Sequence, residues 1–304
     1  VIQSFALLIQ SKVTIHFIIG MTSQETQPNE SKKDANPLQR LISGARTSRW
    51  MLAVTALVLL VAWLINTPPG LEGKADAVGY ALCHQIVERS FQINGQPVSL
   101  CARCTGMYVG IFIGLAYQLA LGRRRSEWPE KFKMIVLGFF LLGFAVDGGN
   151  SALKLYLGEG LLYAPSNTLR LITGTGMGLA MAALILPTFS QTVWREYDRR
   201  PYLQTWRHFG GFVLAGAASI ALILTEIPFL LKFFTYMGVI GIVVILAMLY
   251  IMILMIIFNR ENQCDGLLDT LNWVLIGVIM AIIHIGAIDI VRYFLTGTWE
   301  GFHI

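Results

Sequence analysis

Hydrophobic residues in this chain gather into long blocks instead of alternating or recurring as narrow amphipathic stripes. Seven blocks stand out, at about 50–65, 105–121, 134–153, 169–189, 209–231, 236–258 and 271–295, each bounded by charges, aromatic residues or Gly and Pro. A helix needs about 20 mostly apolar residues to cross the hydrocarbon of a bilayer. Inside lipid the backbone must also close its hydrogen bonds within the segment. The pattern therefore predicts an all-α, polytopic membrane bundle of about seven transmembrane helices, with an amphipathic helix in the loop after the first. Trp50, Trp63, Trp206 and Trp273 stand near block ends, where an interfacial aromatic belt is expected.

The N-terminal part breaks this pattern. Residues 1–20 are apolar but interrupted by Gln10, Ser11, Lys12 and His16, and they have neither the positive start nor the small-residue cleavage site of a secretory signal. They read as an over-extended reading frame with Met21 as the start, or as an additional interfacial helix. Residues 22–45 are rich in Ser, Gln, Asn, Lys and Pro without an apolar face, the composition of a disordered tail. The expected organisation is a tail over 1–48 and a single transmembrane domain over 49–304, with a polar loop at 67–104.

Composition agrees with the hydropathy and adds an orientation. Of 304 residues, 55% are hydrophobic and only 13% charged, about half the charge of an ordinary soluble domain. The net charge of +5 would suit a nucleic-acid partner in a soluble protein, but here it records topology. With the tail inside, fifteen Lys and Arg lie on the inner side against seven outside. This predicts the N-terminus inside, and the C-terminus and the 67–104 loop outside. The partner so implied is the lipid bilayer, and no nucleic acid is expected.

Three of the four cysteines fall within that loop. Cys83-His84-Gln85 lies in a stretch of helical periodicity that continues to Arg89, and Asn94-Gly95 then marks a turn. Cys101-Ala-Arg-Cys104-Thr-Gly106 opens the second span. Three thiols and an imidazole are a complete tetrahedral set for zinc or another transition metal, and the two-residue spacing followed by Gly is that of a metal knuckle. Position at a helix N-terminus, near Arg89 and Arg103, favours the thiolates that such a centre needs. Neighbouring Cys83 and His84 would point different ways on a helix. The same low-pKa thiols could instead serve a membrane thiol–disulfide oxidoreductase that cycles Cys101 and Cys104, with a quinone as electron acceptor. A structural disulfide from Cys83 is the third reading, and it leaves one thiol over. Cys264 is expected on the inner side, away from the cluster.

Cys83-His84-Gln85, Arg89-Ser90-Phe91 and Cys101-Ala102-Arg103-Cys104-Thr105-Gly106 resemble the signature of a family of bacterial and archaeal predicted membrane proteins catalogued as a domain of unknown function. The resemblance continues through Asp147-Gly148 and Asn167-Thr168-Leu169-Arg170, up to Thr173-Gly174. It implies a helical architecture, a prokaryotic cytoplasmic membrane and a set of residues, but no reaction. In similar sequences a glutamine often follows the Asp-Gly pair, where this chain has Asn150 and Ser151.

Ionisable groups within spans cost a few kcal/mol each and carry a functional hypothesis by default. Asp147, late in the third span, and Arg170, early in the fourth, are expected at similar depth and in an ion pair, with Asn167 capping the fourth helix. Gly174, Gly176 and Gly178 let another helix approach closely. They are no nucleotide fingerprint, since no strand precedes them. In the seventh span Asp289 and Arg292 are spaced to pair with each other. His284 nearby is a ligand, a proton carrier or a histidine hydrogen-bonded between helices. Glu226, before Pro228, joins the polar layer or snorkels with Lys232. All these groups except His284 fall in the outer half of the bilayer, which suits one outward-facing site and weighs against a small-solute transporter. The candidate metal ligands are Cys83, His84, Cys101 and Cys104, above a supporting polar pocket of Arg103, Asp147, Asn167 and Arg170. No His-Glu-x-x-His occurs to suggest a zincin.

Overall fold

In the computed structural model, residues 46–157 and 162–301 are described, and all lie within one unit, Leu41–Ile304. The readings for residues 1–20 and for the tail up to residue 45 lie outside the described residues. The first helix already begins at Arg46. Eight helices occur among the described residues: α1 (Arg46–Asn66), α2 (Gly70–Leu82), α3 (Ala102–Leu121), α4 (Lys131–Leu157), α5 (Asn167–Val193), α6 (Trp206–Ile223), α7 (Pro228–Ile257) and α8 (Leu267–Thr296). All but α2 are long and apolar enough to cross a membrane. The fold is an all-α membrane bundle, and the strands among these residues are four short pieces in two-stranded pairs.

Two boundaries depart from the hydropathy reading. The fifth block was expected to run to Leu231, but α6 stops at Ile223. Glu226 takes a left-handed φ of 53°, and Pro228 opens α7. A proline suits the first turn of a helix, where its missing N–H leaves no gap, and it resists a place in the interior. Lys232 is accordingly paired with Glu72 of α2 and not with Glu226. The loop helix likewise ends earlier than its periodicity suggested. After Leu82 the backbone turns extended at Cys83 and left-handed at Gln85, φ 51°. Asn94 and Gly95, both at positive φ, form the expected turn, which joins β1 (Gln92–Ile93) to β2 (Gln96–Pro97).

The axis of the bundle is the contact between α3 and α5. Over half of the α5 span is buried (56%), against 6% of α1. Gly106 packs on the Leu171 carbonyl, Gly110 on Thr175 and Gly114 on Ala182, so the two helices run parallel. A Cβ at Gly174 or Gly178 would overlap the carbonyl oxygens of Arg103 and Met107. Small residues at a four-residue spacing on both helices thus bring backbone against backbone, which is how helices gain packing in lipid, where burial of apolar surface drives little. Gly176, on another face of α5, packs on Phe140 of α4. A core of Ile111, Leu115, Leu179, Phe212 and Ile245 then joins α3 and α5 to α6 and α7.

At the far end, β3 (Arg125–Glu127) pairs with β4 (Asp198–Pro201) and ties two loops together. Trp50 and Trp206 are exposed, as an aromatic belt requires. Trp273 is instead buried in the core, and Trp63 turns inward to Asp289.

Gly178→Ala should destabilise the detergent-solubilised protein by about 1–3 kcal/mol, because the new methyl overpacks a backbone contact that cannot yield. Gly143→Ala, with open space around it, should change stability by less than about 0.5 kcal/mol. Thermal unfolding of the two variants side by side checks the contact.

Candidate metal centre and its polar support

Because α3 and α5 are parallel, their N-termini lie at the same end of the bundle, and the Cys/His loop folds over them. α2 docks into the bundle by Ala75, Ala77, Val78 and Tyr80, all buried. Its last turn is held from α8, where Arg292 Nη1 donates to the carbonyls of Tyr80 and of Cys83 (2.7 Å) while its guanidinium lies 3.9 Å over the Tyr80 ring. A cation on the terminal carbonyls of a helix satisfies acceptors that have no partner within it. Gly79 packs directly on the Ser99 carbonyl, so the end of α2 is drawn against the strand that leads into Cys101. The Gln85 amide closes the same seam, donating to the carbonyls of Asp76 (3.0 Å) and Ser99 (2.9 Å).

These contacts bring three cysteines together. The sulfurs of Cys83, Cys101 and Cys104 all lie within 4.8 Å of one another, and Cys83 and Cys101 are buried. Cys83 Sγ accepts backbone N–H groups from Gln85 (3.4 Å) and Cys101 (3.3 Å). Cys101 precedes the first residue of α3, and hydrogen bonds from Cys104, Cys83 and His84 hold its thiol well below the usual range. The hydrogen bond to Cys101 in turn pushes Cys83 up to about 12.

His84 reaches the cluster because the helix breaks before it, which removes the conflict expected for adjacent helical positions. It stands outside the compact group of three sulfurs. Its Nδ1 accepts the N–H of Ile86 at 3.1 Å, leaving Nε2 to meet Cys101. Cys264 is buried elsewhere, paired through its backbone with Trp194.

Beneath the cluster, the expected ion pair of Asp147 with Arg170 is replaced by one with Arg103. Arg103 forms its salt bridge with Asp147 Oδ2 through Nη2, adds Nε at 3.2 Å, and reaches the Asp147 carbonyl (3.1 Å) and Ser151 Oγ (2.9 Å). Asp147 also accepts from Tyr163 (2.9 Å) and Thr173 (3.4 Å). Arg103 wins because Gly174 lets α3 approach α5 closely enough for its side chain to span to α4. Asn150 amide atoms bond the backbone of Leu162 and Tyr163 and brace the α4–α5 connection. The cap of α5 is Ser166, whose Oγ accepts from Leu169 N at 3.2 Å, and not Asn167. Asn167 binds the loop instead, donating to the Glu88 carbonyl (3.2 Å) and accepting from Arg170 Nη1 (2.8 Å). Tyr163, Thr173 and Ser151 carried no spacing signal that could have singled them out.

Asp289 and Arg292 do not pair with each other either. Asp289 accepts from Trp63 Nε1 at 3.1 Å, and Arg292 is turned to α2. His284 lies apart, hydrogen-bonded to Tyr250 at 2.7 Å between α7 and α8, the histidine packed between helices.

Asp147→Ala should cost about 3–5 kcal/mol, because it strands the largely buried Arg103 charge. Arg170→Gln, which breaks no ion pair, should cost about 1 kcal/mol. Comparable losses in unfolding measurements of both variants would contradict this assignment of the clamp.

Residues 83–184, which hold the thiol cluster and its polar support, match the model of a family described as predicted membrane protein (DUF2085). An uncharacterized protein of Methanocaldococcus jannaschii is 32% identical over 122 residues, 40% of this chain and 72% of that protein. Another, of Methanothermobacter thermautotrophicus, is 29% identical over 105 residues, 34% of this chain and 83% of that protein. No solved structure matches. With two thirds or more of each relative covered, and the cysteine motif inside the matched region, the chain belongs to the DUF2085 family of predicted membrane proteins.

Proposed function

We propose that this membrane protein holds a transition metal, zinc before others, on Cys83, Cys101 and Cys104, at the outward end of the bundle. The observation that carries this reading is the approach of three sulfurs to within 4.8 Å. The two backbone N–H groups on Cys83 support it, since a metal thiolate accepts such bonds in a knuckle. A divalent ion draws the protons from the remaining thiols, and three protein ligands leave one position for an outside ligand, as in catalytic zinc sites. When bound, the ion supplies Lewis acidity at that position. His84, bonded to Ile86 through Nδ1, stands beside the centre as a hydrogen-bond donor and becomes a fourth ligand only if that bond is given up. Asn167 holds the loop over the bundle, and Arg103 with Asp147 ties α3 to α4 beneath it.

A second reading is favoured by the low pKa of Cys101, one turn from Cys104. Such a pair could run thiol–disulfide exchange with a quinone as electron acceptor. Elemental analysis with thiol counting separates the two. The metal reading expects one equivalent of metal in the purified protein, lost in Cys83→Ser, Cys101→Ser and Cys104→Ser and retained in His84→Ala. Metal-free protein with a reducible Cys101–Cys104 bond overturns it, and loss of metal in His84→Ala converts it to a four-ligand site. The orientation has its own check: protease added outside sealed vesicles should spare the 122–130 loop, and cleavage there would place the thiols on the inner side.

A further inference from the structure

At the same end of the bundle positive charge exceeds negative charge. Arg103 is neutralised by Asp147. Arg170, in the first turn of α5, is only 7% exposed, yet among the described residues it enters no ion pair, and its Nε has no acceptor. There its side chain bonds the neutral amide of Asn167. The field of Arg89 and Arg103 acts on it against that of Asp147. Arg89, half-buried on the short helix Val87–Arg89, has no ion pair or side-chain hydrogen bond among the described residues, and the adjacent carboxylate of Glu88 pairs with neither arginine.

Burying a guanidinium without an anion costs several kcal/mol, so an arrangement that keeps Arg170 buried beside a second free arginine calls for a counter-charge from outside the chain. Among the described residues no carboxylate supplies it: Asp147 is taken up by Arg103, and Glu88 pairs with neither arginine. The parallel N-termini of α3 and α5 add roughly half a positive charge each at this same end.

We propose that Arg89 and Arg170, at the N-terminus of α5, bind a phosphate group next to the thiol cluster. Guanidinium groups and free helix N–H groups are the donors that phosphate oxygens take in pairs. The phosphate belongs either to a phospholipid headgroup of the adjoining leaflet or to a free phosphate. Its donors are arginines and backbone N–H groups and include none of the three thiols, so the site does not depend on the metal reading.

The test uses full-length protein in a neutral detergent, stripped of lipid. Its thermal midpoint is followed with inorganic phosphate and with short-chain phosphatidic acid, against chloride and short-chain diacylglycerol, and metal content is measured on every sample. At least one phosphate ligand should raise the midpoint, and the apparent affinity should fall tenfold or more in Arg89→Gln and in Arg170→Gln at unchanged metal content. Tighter binding of inorganic phosphate identifies a free phosphate as the ligand, and tighter binding of phosphatidic acid identifies a headgroup. No response to either ligand, or equal affinity in Arg89→Gln and the unmodified protein, overturns the proposal. The Arg89 side chain makes no hydrogen bond among the described residues, so its variant remains decisive should Arg170→Gln fold poorly. Loss of metal with phosphate binding intact would count against the metal reading alone.

Discussion

The close contact of α3 with α5 is the constraint on which the other features depend. In lipid the two helices gain little from burying apolar surface, and their association rests on packing at short range. Glycines at 106, 110, 174 and 178 let carbonyl oxygens sit where side chains would otherwise stand. Because the helices are parallel, the contact also brings two N-termini to one level. Both the thiol cluster and the arginines are built on those two ends, so one backbone contact sets the distance between them.

Over this platform the loop is held from α5 and α8 and by its own Gln85. Arg292 of α8 holds the end of α2, Gln85 closes α2 onto Ser99, and Asn167 of α5 grips the carbonyl of Glu88. Each of these bonds satisfies a backbone carbonyl that the irregular loop would otherwise leave without a partner, which is costly near hydrocarbon. The cluster of sulfurs results from that closure: Cys83 comes from one side of the seam, and Cys101 and Cys104 from the other. Of the three, Cys83 and Cys101 are buried and Cys104 is partly exposed.

The ion pair of Arg103 with Asp147 serves a different purpose from the one that chain position suggested. Its carboxylate is completed by Tyr163 and Thr173, so four residues from α3, α4, α5 and the α4–α5 connection share one satisfied charge pair. Arg170 is thereby released from a structural pairing. It is the difference between these two arginines, one clamped and one without a counter-ion, that separates support from a candidate ligand site.

The seven membrane helices, the loop and the close-packed cysteine motif were legible in the linear chain, because a span is a run of apolar residues and a knuckle is a local spacing. Gly174 and Gly178 likewise announced a close helix approach, since a row of small residues at helical spacing has few other uses. The pairing of side chains was not legible. Asp147 with Arg103, Asp289 with Trp63, Arg292 with the carbonyl of Cys83 and Ser166 in place of Asn167 as a cap all depend on how far one helix stands from another and how it is rotated. Nor could periodicity show that α2 ends at Leu82, because apolar spacing continues past the point where docking against Ser99 and Arg292 makes an extended turn the better conformation. By itself the sequence determined which segments are long and apolar enough to cross the membrane and where the cysteines cluster. Only the tertiary structure decided which charges are neutralised, since that depends on separations of a few ångströms between helices distant in the chain.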